Sequence, residues 1–176
     1  MNSNIFRTSD LKYEHKTVRL LALKRIHKMK IAGDEIESVE ENVEFETKLW
    51  VADELIRNGM ARIINEKEPL NIMELQKIQI KETMQTTRKL STLQDDFYPK
   101  LRRFLKDTKN SGGPDFQKAL QLATDVITCR IGKILCMASA VDPGESVLQN
   151  LTSEERVLYR TLNNKVKQWE TDVLNG

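Results

Sequence analysis

The spacing of the hydrophobic residues changes partway along this chain of 176 residues. In the first part apolar and polar side chains mostly alternate, as in residues 43–48 (VEFETK), and such alternation is typical of half-buried strands. In the second part apolar residues recur every three or four positions, which is typical of amphipathic helices. The sequence therefore predicts an α+β protein, with a small β-rich domain at residues 1–67 and a mainly helical, four-helix domain at residues 70–176.

The β-rich domain is predicted to hold one short helix among its strands. The apolar face of this helix, over residues 49–58, consists of Leu49, Ala52, Leu55 and Ile56. Gly59 follows at the position where a left-handed C-terminal cap is expected. A turn is predicted at residues 32–34, and residues 61–64 return to an extended apolar pattern.

Capping residues and loops mark the helices of the second domain. Asn71 and Thr152 are predicted N-caps, and each has a glutamate three residues later in the capping-box position. Asp96 is a third candidate cap, and residues 110–114 (NSGGP) form the clearest loop. The long helix after this loop is predicted to end at residues 142–144. It carries apolar residues on two sides, so we expect it to be buried on more than one face.

Charge is strongly segregated along the chain, although the total is only +2. Residues 1–33 carry eight basic and two acidic residues, and residues 34–68 carry four basic and eleven acidic residues. This order predicts two strands or faces that neutralise each other when they pair. The most basic segment contains Lys24, Arg25, Lys28 and Lys30. It is either a phosphate-contacting patch for nucleic acid or a strand whose outward positions are basic.

The sequence contains no pattern that indicates catalysis or a bound cofactor. None of the seven glycines belongs to a phosphate-binding loop, no Gly-x-Ser-x-Gly elbow occurs, and neither histidine has an evident nucleophile. Cys129 and Cys136 lie seven residues apart in one predicted helix, too far for a disulfide, so we expect buried structural thiols. We predict a protein that is not an enzyme and holds no metal or cofactor.

No stretch of the chain approaches the roughly 20 apolar residues that span a bilayer. The first residues also lack the apolar core of a secretory signal. We therefore expect a soluble intracellular protein without a membrane partner.

Several segments resemble subunits of the GINS complex. Residues 44–61 (EFETKLWVADELIRNGMA) are similar to the end of that family's small β domain, where a strand leads into a helix and a closing strand. Residues 96–101 (DFYPKL) resemble the start of a helix in its helical domain. Residues 130–134 (RIGKI) resemble its Arg-x-x-Lys-Ile segment, and residues 150–155 (NLTSEE) resemble the Asn-Leu-Thr before its last helix. The β-domain-first order resembles the branch of the second and third eukaryotic partner subunits or its archaeal counterpart, and the short chain favours the archaeal form.

The resemblance implies a replication factor without catalytic activity. GINS subunits form a tetramer, in archaea often two copies each of two related chains, that bridges the MCM helicase ring and a Cdc45/RecJ-like partner. We therefore expect a non-catalytic structural subunit that scaffolds and stimulates the helicase. Its location would be the cytoplasm, with the nucleoid, or the nucleus in a eukaryote. The alternative is a module that binds DNA directly, and weakly, through the basic segment.

Ten residues are candidates for contacts between subunits. Aromatic anchors dominate the energy of protein interfaces, and helices apolar on more than one side need partners beyond one small domain. The candidates are Phe97, Tyr98, Leu101, Phe104, Arg130, Ile131, Ile134, Tyr159, Leu162 and Trp169. For Tyr98, Phe104, Tyr159 and Trp169, ordinary core packing is the alternative.

Overall fold

The alternating segments of the N-terminal part form antiparallel strands. β1 (Thr17–Ala22) is the central strand of a three-stranded sheet. β2 (Met29–Ile31) and β3 (Asp34–Ile36) pair with each other in a separate two-stranded sheet. Gly33 lies in a turn as predicted, and residue 32 of that prediction lies outside the described residues. β4 (Glu44–Lys48) and β5 (Ala61–Ile63) pair with the two sides of β1. This computed structural model describes residues 3–31, 33–64, 70–85, 89–112, 114–140 and 148–175.

The register of the three-stranded sheet turns its apolar side chains to one face. Leu20 of β1 lies opposite Phe45 of β4 and Ile63 of β5, while Arg19 lies opposite Glu46. Successive residues of a strand point to opposite faces, so Leu20 is buried and the charged pair stays exposed. The predicted half-buried strand with its acidic residues outward is therefore confirmed.

Two helices accompany these strands, whereas the sequence predicted one. α1 (Ser3–Glu14) is the additional helix, and among its described residues only Tyr13 packs against the apolar core. Such sparse apolar residues give no clear helical spacing, which explains why the prediction was wrong here. α2 (Leu49–Arg57) matches the predicted helix, but Ile56 is exposed and Val51 is buried in its place.

Gly59 ends α2 in the predicted way. Its φ of +64° lies in the left-handed region, where a Cβ atom is unfavourable. The Gly59 N–H donates to the carbonyl oxygen of Ile56, and the Met60 N–H donates to that of Leu55, both at 2.9 Å. These two bonds form a Schellman motif, which satisfies carbonyl groups at the end of the helix.

The described residues of the C-terminal part contain the helices α3 (Ile72–Met84), α4 (Phe97–Asn110), α5 (Asp115–Ala138) and α6 (Ser153–Asn175). α5 packs against α3, α4 and α6. One apolar cluster lies around Leu75, Phe97 and Leu101, and a second lies around Ile134 and Leu151.

Local hydrogen bonds begin two of these helices as predicted. Asn71 Oδ1 accepts from the amide three residues later at 2.9 Å. Thr152 Oγ1 accepts from the N–H of Glu155 at 3.4 Å, and the Glu155 carboxylate accepts from the N–H of Thr152 at 3.0 Å, which completes a capping box. Asp96 precedes α4, but its carboxylate makes no capping hydrogen bond and pairs with Lys100 at 3.1 Å.

The chain divides into two compact units, Met1–Pro69 and Leu70–Gly176. The protein is thus α+β, with a small strand-containing unit followed by a mostly helical unit. α5 ends at Ala138, and the helix end predicted at residues 142–144 lies outside the described residues. None of the helices in the described ranges is long and apolar enough to cross a bilayer.

Candidate functional site

Arg130 lies at the centre of a buried group of charged side chains in the helical unit. Its Nε and Nη2 donate to the two carboxylate oxygens of Glu155, at 2.5 and 2.7 Å, in a bidentate pair. Its Nη1 donates to Glu82 Oε2 at 2.9 Å. Lys133, one turn along α5, donates to Glu82 Oε1 at 2.7 Å. We call these four residues the ionic cluster; its two positive and two negative charges balance.

Neutral groups complete the hydrogen bonding of the ionic cluster. The N–H of Ser91, at 3.2 Å, and its hydroxyl both donate to Glu82 Oε2. Tyr98 Oη donates to Glu155 Oε1 at 2.7 Å. The guanidinium also donates to the carbonyl oxygens of Ser91 and Asn150, at 3.0 and 3.2 Å. The cluster therefore connects α3, α4, α5, α6 and the segments that precede α4 and α6.

The contacts of the ionic cluster shift the pKa values of Glu82, Arg130 and Tyr98. Burial alone raises the pKa of Glu82, but the hydrogen bond of Lys133 and the charge of Arg130 outweigh it, so this pKa lies below 4.5. Burial alone lowers the pKa of Arg130, but the hydrogen bonds and charge of Glu155 raise it beyond its ordinary value. Burial and the Glu155 carboxylate raise the pKa of Tyr98 well above 10. Tyr98 therefore remains a hydrogen-bond donor at physiological pH.

The geometry of the ionic cluster suits a structural role. Glu82 and Arg130 are 0% exposed, and Lys133 and Glu155 are also buried. A general acid or base must reach the proton that it transfers, and these groups meet one another instead of solvent. Removal of one partner from such a buried pair costs about 3–5 kcal/mol of stability.

Sequence reasoning found only part of the ionic cluster. The resemblance segment at residues 130–134 contains Arg130 and Lys133, and Glu155 was identified only as a capping residue. Glu82 was missed, because it lies 48 residues before Arg130 and no local pattern indicates its partner. The sequence gives one sign of the role of Glu82. It lies one turn after Ile78 on the inner side of α3, where an apolar residue is expected.

Four predicted interface residues lie in the interior of the helical unit. Phe97, Leu101, Arg130 and Ile134 are all at most 4% exposed. Phe97 and Leu101 pack in the first apolar cluster, and Ile134 packs in the second. Their prediction as surface contacts is wrong, because α4 and α5 use these faces to pack inside the helical unit. Four further candidates are half-buried and pack against the same clusters: Tyr98, Phe104, Tyr159 and Leu162.

The remaining candidate on α5, Ile131, is 40% exposed. Leu120 and Leu135 are exposed on the same side of the helix, and we call these three residues the outer line of α5. The prediction that α5 is buried on more than one face is therefore wrong. Arg130 and Lys133 take inner positions because their charges are paired there, which leaves Ile131 facing outward.

α6 continues beyond the end of α5. Asn163 Nδ2 donates to the carbonyl oxygen of Ala138, the last residue of α5, at 3.0 Å. Twelve further residues of α6 follow Asn163, and at 1.5 Å per residue they extend about 18 Å. Residues 167–175 are exposed throughout. The C-terminal half of α6 thus projects from the helical unit.

The apolar side of α6 continues onto this projecting half. Leu162 and Val166 are half-buried, and Trp169 and Val173 follow them at helical spacing. Trp169 is 67% exposed, Val173 59% and Leu174 83%. We call these last three residues the α6 end surface. Large apolar side chains grouped on a surface mark an interaction site more often than single exposed ones.

Acidic residues neutralise part of the basic segment in the N-terminal unit. Arg25 pairs with Glu40 at 3.2 Å, and Lys28 pairs with two glutamates at 2.9 and 3.0 Å. The predicted pairing of the basic and acidic stretches is confirmed at these positions. Lys24 and Lys30 have no ion pair with any residue that the structure describes.

The two cysteines differ in their exposure. Cys129 is half-buried and lies 3.6 Å from the carbonyl oxygen of Glu82, whereas Cys136 is exposed. The predicted burial is therefore wrong for Cys136, which lies on the outer side of α5. Among the described residues, no group of three or more metal-binding side chains comes together.

Each unit has an open cleft. The cleft of the N-terminal unit has a volume of about 530 Å³ and is lined by Glu14, His15, Gly33, Asp34, Lys48 and Trp50. Lys48 and Asp34 form an ion pair across it at 2.7 Å. The cleft of the helical unit, of about 330 Å³, lies where the chain enters α6.

Comparison with protein-family models and with curated proteins gives no match for this chain.

Proposed function

We propose that this chain is a non-catalytic structural subunit of a GINS-type DNA replication complex. Its role is to scaffold and stimulate the MCM replicative helicase together with a Cdc45/RecJ-like partner. Four segments that resemble the family, in the order of the β-domain-first branch, support this assignment, and we favour the archaeal form. The α6 end surface is the observation that carries the assembly role.

The α6 end surface suits a permanent contact with another chain. Full burial of a large apolar side chain contributes roughly 1.5–3 kcal/mol, and tryptophan is enriched among the residues that dominate interface energies. Trp169 and Val173 extend the same stripe that packs inside the unit, so a neighbouring helix can continue that packing. The outer line of α5 offers a second apolar contact.

A scaffold raises helicase activity when it holds two partners in fixed relative positions and favours one ring conformation. The ionic cluster supports such a role because it fixes α3, α4, α5 and α6 to one another. We further propose that the whole helical unit is a four-helix bundle and that four subunits form the complete assembly, in the cytoplasm beside the nucleoid.

Direct nucleic-acid binding through the basic segment is the weaker alternative. Arg25 and Lys28 are paired with acidic residues, and a phosphate would have to displace these pairs. Only Lys24 and Lys30 remain for phosphate contacts within the described part of this segment. A binding constant that falls steeply with salt would support this alternative.

The proposed function is tested by recovering the tagged full chain from native lysate and measuring the mass of its assembly by light scattering. The variant carries Trp169→Asp and Val173→Asp together. The control is Gln168→Asp, which lies on the side of α6 opposite the α6 end surface and is exposed. We expect the wild type and the control in a four-subunit assembly that stimulates MCM unwinding, and the double variant as a folded monomer of 20.4 kDa.

Two results contradict the proposal. A wild-type chain that remains monomeric beside its native partners would remove the assembly role. An assembly of unchanged mass in the double variant would show that the α6 end surface is not the contact.

A further inference from the structure

The cleft of the helical unit combines apolar walls with two arginines. It is lined by Leu148, Gln149, Leu151, Arg156, Tyr159 and Arg160. Its volume of about 330 Å³ lies at the lower end of the range of about 300–1,000 Å³ for ligand sites. It therefore suits one or two side chains of a peptide better than a large cofactor.

No acidic residue that the structure describes forms an ion pair with the arginines of this cleft. Arg156 and Arg160 lie one helical turn apart on α6 and are both exposed. Arg156 Nε donates to the carbonyl oxygen of Leu151 at 3.1 Å, which holds the guanidinium at the cleft. The nearest acidic residues along α6 have other partners: the Glu154 carboxylate accepts from the Ser153 hydroxyl at 3.1 Å, and Glu155 is paired with Arg130.

We propose that this cleft binds an acidic segment of a partner protein that carries an apolar residue beside a carboxylate. The carboxylate accepts hydrogen bonds from Arg156 and Arg160, whose planar guanidinium groups suit bidentate pairing. The apolar side chain packs against Tyr159 and Leu148. Two charges beside leucine and tyrosine favour a peptide over nucleic acid, whose binding depends on many phosphate contacts along a groove.

This site is separate from the proposed assembly surface. Trp169 lies nine residues after Arg160 on the same helix, which is about 14 Å along its axis. A variant in the cleft therefore leaves the α6 end surface intact. Loss of peptide binding and loss of assembly can be observed independently.

The test is an NMR titration of the full chain with an acetylated hexapeptide amide made of glutamate, aspartate, leucine and phenylalanine. A second peptide replaces every acid by its amide. The variant is Arg160→Glu, with Arg160→Gln as a milder change. The control is Lys165→Glu, which alters the net charge equally on another side of α6. Single-stranded oligothymidylate is added as a competitor.

We expect saturable shifts at Tyr159 and Leu148 with the acidic peptide and none with the amide peptide. Arg160→Glu should weaken binding roughly ten-fold or more, because it removes a charged hydrogen bond and adds repulsion. Lys165→Glu should leave the affinity unchanged. Three results overturn the proposal: no saturable shift at millimolar peptide, equal losses in the variant and the control, or displacement of the peptide by oligothymidylate at equal concentration.

Discussion

At the residue scale, Glu82 and Arg130 are fully buried, so other protein groups replace the water that charges normally require. Transfer of each ion out of water costs several kcal/mol, which is repaid only when every donor and acceptor is matched. The bidentate pair with Glu155 and the bonds from Lys133 and Ser91 supply this match. The cluster therefore fixes how the helices meet more than it raises net stability.

Glu82→Gln tests this matching, because glutamine keeps the shape of the side chain and removes its charge. The pKa of Glu82 in the folded state lies below its ordinary value of 4.5. Its ionised form therefore stabilises the fold above about pH 4.5, and this contribution is lost as the pH falls through the lowered pKa. We expect the variant to be less stable by roughly 3–5 kcal/mol at pH 7, because Lys133 and Arg130 lose a buried charged partner, with the difference shrinking in acid. Urea unfolding at a series of pH values measures it.

Glu170→Gln is the matched control for this series. Glu170 is exposed on α6 of the same unit, so its replacement should change the free energy of unfolding by no more than about 0.5 kcal/mol. A difference between wild type and Glu82→Gln that does not shrink in acid would contradict the electrostatic explanation.

At the element scale, the sequence predicts structure best where the determining interaction is local. The cap at Asn71, the capping box at Thr152 and the turn at Gly59 each involve residues within five positions of one another. The type of amino acid determines these contacts. The side-chain oxygen of Asn71 or Thr152 accepts a backbone N–H, and the missing Cβ of Gly59 allows its positive φ. All three predictions are confirmed.

The sequence predicts less well which face of a helix is buried. The sequence predicts Arg130 and Ile131 of α5 alike as contacts between subunits. The structure separates the two: Ile131 is exposed, whereas Arg130 is buried because it meets Glu82 and Glu155 from distant parts of the chain. The projecting half of α6 was missed for a similar reason. Trp169 and Val173 have the spacing of core residues. They are exposed because α5 ends at Ala138, before it could pack against this part of α6.

Thr152→Ala should weaken the start of α6. The change removes the hydroxyl that accepts the N–H of Glu155 and releases one side of the capping box. Loss of a threonine cap costs about 1 kcal/mol, and a lower urea midpoint at unchanged slope measures it. Thr161→Ala is the control. Thr161 lies in the middle of α6, its side chain is exposed, and its hydroxyl donates to the carbonyl oxygen of Val157 in the preceding turn. Equal midpoints in the two variants would show that the cap does not contribute.

At the scale of the whole molecule, the described residues of each apolar core all come from one unit. The core of the first unit is formed by strands β1 to β5 and α2, with Leu20, Leu49 and Val51 at its centre. The two clusters of the helical unit contain only residues from Leu70 onward. Because hydrophobic burial is the dominant favourable contribution to folding, each unit has the means to fold by itself.

We therefore expect residues 70–176 to unfold cooperatively when they are produced without the first unit. This fragment keeps all four members of the ionic cluster, so its melting temperature should lie within a few degrees of the helical transition in the full chain. Circular dichroism at 222 nm measures both.

Residues 89–176 are the matched control, because they lack α3 and leave Arg130 and Lys133 without Glu82. This shorter fragment should show no cooperative transition, since an unpaired buried charge costs about 3–5 kcal/mol and the packing of α3 against α5 is lost. A fragment 70–176 without a cooperative transition would show that the helical core depends on residues of the first unit.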